Sequence, residues 1–343
     1  MNKKINKKIS STRSMNYQIY TKALPTFVKD YLNYLTTVKN VSINTINAYC
    51  ADLSLFLRFL CLHKNLVVLT DSMDFNHIPI ENLTIDILSN LQLTDFYSYL
   101  SYIENVRNNG NYAKARKVAS LKSLFNYLTT KAKVLPIDPT QDLESPKLGK
   151  RSPIYLTLDE SKDLLNAAKN RDKHSERDFC IITLFLNCGL RLSELCSIDI
   201  SKIKGDTISI LGKGNKERTI YLNKASIKAI YRYLPIRNEI QDKVFFEDKD
   251  ALFISGKYRR INKRTVERIV KKYVGLAGLD KDKYTPHKLR HTSATLMHKH
   301  GGVDIRSLQE ILGHENIATT QIYTHVDNER LRKAIKSNPL NEE

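Results

Sequence analysis

From Thr26 onward the apolar positions recur at helical spacing, first Phe27, Tyr31, Leu32 and Leu35, then Ile46, Tyr49, Leu53, Phe56, Leu57 and Leu60. Residues three and four apart share one face of a helix, so this spacing predicts two amphipathic helices. The stretch Leu66 to Asn82 has no period and contains Pro79, which predicts a loop longer than usual. A third helix is predicted from Thr94 to about Val106, broken by Asn108-Asn109-Gly110-Asn111. A fourth follows, with Ala113, Val118, Leu121, Leu124, Phe125 and Leu128 on its apolar side. Lys114, Arg116, Lys117 and Lys122 are spread along the remainder of that helix and are the best candidates in this half for contact with a polyanion.

Leu135 to Pro153 carries four prolines and a basic patch. Proline disfavours both helix interiors and sheets, so residues 135–153 read as an extended interdomain linker. Beyond it, Thr157-Leu158-Asp159-Glu160 has the spacing of a capping box, and Phe179 to Cys188 is a strongly apolar helix. Gly189 can take the positive φ that turns the chain sharply, which sets Arg191 just after the turn and Glu194 three residues later. An arginine among apolar residues needs a partner; Arg191 and Glu194 form either a structural pair alone or a pair that also receives a phosphate on the guanidinium fork. Thr207 to Leu211 and Thr219 to Leu222 read as short strands flanking Gly212-Lys213-Gly214-Asn215-Lys216, a loop suited to a hairpin. Ala251 to Ser255 reads as another strand. The basic segment Lys257 to Lys272 includes a helix from Asn262, whose Arg264 and Arg268 are candidates to reach DNA. Asp327 to Lys336 is helical in pattern, and a tail begins near Pro339. The predicted fold is mainly α, with a small antiparallel sheet confined to the C-terminal half.

Length and charge sharpen this picture. A chain of 343 residues accommodates two domains with their own cores. The formal charge of +19, from 55 Lys and Arg against 36 Asp and Glu, favours a polyanionic partner, most simply nucleic acid. Met1 to about Lys22 is basic with little apolar periodicity, an arm that can lie along phosphates. No apolar run approaches the ~20 residues that span a bilayer, and the lysines at the start lack the apolar stretch of a secretory signal, so a cytoplasmic protein without membrane contact is expected. The five cysteines form no CxxC pair and read as free thiols.

The candidate chemistry is concentrated between Tyr284 and His325. Thr285 at a helix start and Pro286 in its first turn place His287 and Arg290 at i and i+3 on one face. Gly301 and Gly302 stop that helix; a second amphipathic run, Ile305 to Leu312, ends at Gly313, leaving His314 in a turn, and a third run from Asn316 carries Tyr323. Together, His287-Lys288-Leu289-Arg290, Leu312-Gly313-His314 and Thr319-Thr320-Gln321-Ile322-Tyr323-Thr324-His325 closely resemble the active-site block of the tyrosine recombinases, the phage integrase family, and within it the Xer type. Cys188 to Leu195 and Gly212 to Arg218 look like that family's other two signatures, in the same order. The resemblance covers residues 25 to 335, in the N-terminal half mainly through helical pattern.

The resemblance implies an arm over 1–22, an all-helical core-binding domain over 23–134, the linker, a mixed α/β catalytic domain over 154–336 and a tail over 337–343, the two domains forming a clamp around double-stranded DNA. It also implies a tetramer, of this chain alone or with a related recombinase, that exchanges strands through a Holliday junction. Tyr323 is then the nucleophile that forms a 3′-phosphotyrosyl link. Arg191 and Arg290 neutralise the phosphate oxygens in the transition state, Lys213 protonates the departing 5′-oxygen, His287 exchanges a proton with the tyrosine and His314 hydrogen-bonds a nonbridging oxygen. Glu194 supports Arg191, and Lys216 touches backbone phosphate. No metal, nucleotide or other cofactor is expected, since the guanidinium and ammonium groups supply the positive charge and the P-loop spacing is absent. Two further readings are a type IB topoisomerase-like enzyme, which reseals the same strand, and a DNA-binding accessory protein that no longer cleaves. The completeness of the set Arg191, Lys213, His287, Arg290, His314 and Tyr323 argues against the latter.

Overall fold

The computed structural model describes residues 23–68, 74–149, 154–169, 174–211 and 217–313. The chain divides between Lys150 and Arg151 into two compact units. The basic arm, Lys213, Lys216, His314, Tyr323 and the C-terminal helix and tail fall outside the described residues.

The first unit is helical throughout: α1 (Thr26–Thr37), α2 (Ile43–His63), the short α3 (Asp86–Ser89), α4 (Leu93–Asn105) and α5 (Asn111–Thr130). Ser42 caps α2 by accepting from the Thr45 amide, and Asp95 accepts from the Gln92 amide at the start of α4. The predicted periodic positions form the core, where Phe56 stacks on Phe96 and Phe96 meets Phe125 edge-on. Contrary to expectation, α2 is long and apolar enough by composition to cross a membrane, but half of that window is buried in this unit's own packing. The predicted loop 66–82 is anchored through buried Phe75, Ile78 and Ile80, with a 3₁₀ turn at Phe75–His77.

Two predicted DNA contacts on α5 are corrected by this packing. Lys114 and Lys117 do not lie on a wet face: both are buried. Asp52, in the middle of α2, is only 2 % exposed, and a carboxylate there needs cationic partners. Lys117 Nζ lies 3.2 Å from its Oδ1 and Arg116 pairs with its Oδ2, while Lys114 Nζ sits 2.8 Å from Glu104. Lys122 donates to the Gln141 carbonyl at 3.2 Å. The predicted linker is shortened in the same way, because Leu135 and Leu143 are buried in this core.

The second unit is built around α7 (Ser175–Cys188), whose Cys180, Ile181, Ile182, Leu184 and Phe185 are all fully buried. Its neighbours include α6 (Leu158–Ala168), opened by the predicted Thr157/Glu160 capping box, then α9 (Lys224–Glu239), α10 (Lys263–Leu276) and α11 (Pro286–Lys299). The short α8 (Leu192–Cys196) and α12 (Ile305–Leu312) complete the helices among the described residues. The sheet is three-stranded and antiparallel, in the order β1 (Ile203–Lys204), β2 (Thr207–Leu211), β3 (Glu217–Tyr221), with Ser209 opposite Thr219. β1 has only two residues, too few to carry a period. The strand predicted at Ala251 to Ser255 is absent; the segment makes single bridges, Ala251 to Asp199 and Ile254 to Arg260. Its backbone bonds alternate between two segments, Leu252 donating to Ile198 and Phe253 accepting from Ile261, so no ladder grows. All five cysteines are free thiols.

Candidate active site

Four local features bring the site together. Gly189 ends α7 in the left-handed region, at φ 58°, and a Cβ there would lie 2.9 Å from Leu312 Cδ2, so the turn fits only without a side chain. Arg191 is the N-cap of α8, and its backbone amide donates to Glu194 at 2.7 Å. Pro286 opens α11 as predicted; Thr285 occupies the cap position but makes no side-chain cap bond. Asp304 caps α12, accepting from the Arg306 and Ser307 amides, and Gly313 ends it with φ 62°.

Glu194 sits at the centre, 2 % exposed. Arg191 Nη1 donates to its Oε1 at 2.7 Å, Arg218 Nη2 donates to its Oε2 at 2.9 Å, and Arg290 Nη1 lies 3.6 Å from the same Oε2. Burial pushes the Glu194 carboxyl up, but the hydrogen bonds from Arg218 and from Arg191 outweigh it and hold the group below the ordinary glutamate range. The same arginines take the last carbonyls of α12 in turn: Arg218 donates to Ile311, Arg290 to Leu312 and Arg191 to Gly313, each at 2.6 Å. Arg290 also donates to the Gly189 carbonyl at 2.7 Å. The negative end of the helix dipole and the carboxylate thus fix three guanidiniums in one place. Three guanidiniums gathered around one carboxylate make this corner cationic and suited to an anion. Arg290 is 5 % exposed along its side chain and Arg191 31 %, so Arg191 presents the more open face.

Arg191, Glu194 and Arg290 are therefore brought together as predicted, and Arg218 was not anticipated. Its signal was alternation: Arg218 falls in step with the inward Ile220 of the same strand and with buried Leu222 just beyond it, a charge on the buried face.

His287 shares a basic hollow with Arg191, Arg290, Lys263, Lys271 and Glu267. Its ring meets His291 edge-on, with the two Nε2 atoms 2.9 Å apart, a bond that requires one ring to donate and the other to accept. The geometry sets His291 directly against His287. Desolvation, reinforced by Lys288 and Arg290, lowers the His287 pKa below that of a free imidazole. An imidazole with a lowered pKa stays neutral further into acid, so a cleavage reaction that needs His287 neutral should fall away only below the ordinary histidine range. Lys288→Gln should move that acidic limb upward; single-turnover cleavage from pH 5 to 8 measures both, and a limb that does not respond to Lys288 excludes His287 as its source. Arg264 and Arg268 lie on the exposed side of α10, lining a shallow hollow with Lys263 and Lys271.

The description "Phage integrase family" matches residues 155–330, and "Phage integrase, N-terminal SAM-like domain" matches residues 28–70. The chain is 53 % identical over 319 residues, 93 % of its length and 88 % of the relative's, to a tyrosine recombinase XerC of Caldanaerobacter subterraneus subsp. tengcongensis. It is 32 % identical over 92 % of its length and 97 % of the relative's to a tyrosine recombinase XerC of Thermodesulfovibrio yellowstonii. Among solved structures, XerH site-specific recombinase in a post-cleavage complex with a palindromic difH substrate shares its fold, with a TM-score of 0.65 at 23 % identity, covering 94 % of this chain and 92 % of that one.

Proposed function

The chain belongs to the phage integrase family as an Xer-type site-specific tyrosine recombinase, and we propose that Arg191, Lys213, His287, Arg290, His314 and Tyr323 divide its chemistry among them. The Tyr323 oxygen attacks the scissile phosphorus, forming a P–O bond to the phenol while the P–O5′ bond breaks. The phenolic proton passes to His287, and Lys213 gives a proton to the departing 5′-oxygen. Arg191 and Arg290 carry the charge on the nonbridging oxygens, with His314 as a further donor. A 5′-hydroxyl from a second duplex then attacks the phosphotyrosyl ester, and the proton movements reverse. The ester conserves the bond energy, so strands exchange without a nucleotide. The observation that carries this reading is the convergence of Arg191 and Arg290 on one buried carboxylate beside His287.

The substrate is double-stranded DNA carrying a recombination site. Residues 23–134 act as the core-binding domain and 154–336 as the catalytic domain, in the cytoplasm, as a tetramer of this chain alone or with a related recombinase. Arg264 and Arg268, on the open face of α10, support DNA contact better than Lys114 and Lys117, whose charges are already committed. Arg116, which stays 44 % exposed while paired with Asp52, together with Lys122 and Lys216, completes the candidate contacts.

Incubation with a nicked duplex containing the recombination site of the source genome should trap a protein–DNA adduct at a 3′-phosphate. Two intact sites should yield Holliday junctions and exchanged products. Relaxation of supercoils with no exchange between sites would replace this reading with a topoisomerase-like one.

A further inference from the structure

We infer that Arg218 is a positioning residue of the recombinase centre, aiming Arg191 at the scissile phosphate by gripping Glu194 and the end of α12 together. The inference rests on the recombinase reading and extends it to a residue outside the six assigned above.

Four observations carry it. Arg218 spans both oxygens of Glu194, Nε to Oε1 at 3.3 Å and Nη2 to Oε2 at 2.9 Å, which fixes the plane of the carboxylate as a single bond would not. Oε1 also receives Arg191 Nη1 at 2.7 Å, so the orientation of the carboxylate sets that of the Arg191 guanidinium. The third contact, Nη1 to the Ile311 carbonyl at 2.6 Å, lies two residues before the Gly313 carbonyl that holds the other side of Arg191. Finally, the Arg218 side chain packs flat on Gly313: a Cβ there would meet its Cδ at 3.1 Å and its Cζ at 3.3 Å. Arg218 therefore holds both anchors of Arg191 while being only 16 % exposed itself. Arg218 does not line the hollow that Arg191 lines, so it acts through Arg191 and not on the substrate.

Single-turnover cleavage of a nicked duplex by the full chain tests this with two scissile groups, the natural phosphodiester and a methylphosphonate. Replacing one nonbridging oxygen by methyl removes the charge that Arg191 neutralises, so a misaimed Arg191 matters less. Arg218→Gln should bind the duplex within about twofold of the parent yet cleave the diester ~10- to 100-fold more slowly, the range typical of residues that orient catalytic groups. On the methylphosphonate the deficit should shrink to about threefold or less. Arg218→Lys, which keeps the charge but not the two-point grip, should recover the diester rate only in part and serves if the glutamine variant does not fold. Equal deficits on both substrates, or a lysine variant as fast as the parent, overturn the proposal. Failure of the parent protein to form any adduct overturns the recombinase assignment instead.

Discussion

Tyr323→Phe is expected to bind duplex DNA with unchanged affinity and to form no covalent adduct. The substitution removes one oxygen and keeps the ring, so it changes little but the oxygen proposed to attack phosphorus. The remaining groups can still polarise the phosphate, but the phosphotyrosyl route has no first step. Elimination of a nucleophile typically costs more than ~10⁴-fold in rate, below the detection limit of a gel assay for denaturant-resistant adducts. Affinity, read in parallel by gel shift, is carried mainly by contacts of basic residues to phosphates. An adduct that persists in this variant would assign the nucleophile elsewhere and remove the central element of the proposed reaction.

The second large effect is on stability. Glu194→Ala would leave Arg191, Arg218 and Arg290 facing one another around an empty position, with Arg290 nearly buried. Removing one side of a buried ion pair costs ~3–5 kcal/mol, because the remaining charges lose compensation without regaining water. In a unit of this size each kcal/mol moves the midpoint by about 2–4 °C, so thermal unfolding should occur roughly 6–20 °C lower. Glu194→Gln, which keeps an acceptor, should lose less. The pH dependence has a definite sign. The Glu194 pKa is lowered in the folded protein, so its stabilising contribution is fully present above the ordinary glutamate value of ~4.3 and disappears as pH falls through the lower folded value. The gap between parent and Glu194→Gln should hold from pH 7 to about 5 and close in stronger acid. Melting midpoints across that range decide it; a gap that widens on acidification would mean that the carboxylate is not held ionised by its arginines.

Much of the site was legible because its signals are local. The capping box at Thr157, the Gly189 turn that delivers Arg191, Pro286 at the start of the helix carrying His287 and Arg290, and Gly313 at the end of α12 each depend on a few adjacent residues, and all four elements formed as read. What was missed required knowledge of packing partners. Lys114 and Lys117 looked solvated because their own helix offered no acid nearby; the acids that bury them, Glu104 and Asp52, come from other helices. Ala251 to Ile254 has strand composition, yet its four residues are all buried and share their backbone bonds between two segments, which no alternation pattern signals. Arg218 was hidden in a signature dominated by glycine and lysine, and only its phase with Ile220 and Leu222 marks it as inward.

The joint at the end of α12 is made with peptide oxygens, not side chains. Ile311, Leu312 and Gly313 each offer a carbonyl to a different arginine, and a carbonyl is the same whatever residue carries it. Exposed Ile311 can therefore be exchanged for many amino acids without loosening the grip, whereas an ester in place of the amide, which weakens the oxygen as an acceptor, would loosen it with no change of sequence. The chain leaves α12 from a point whose tolerance to substitution and dependence on backbone chemistry are set independently, a useful property for anyone wishing to redesign the surface of this corner while keeping its strand-cutting activity.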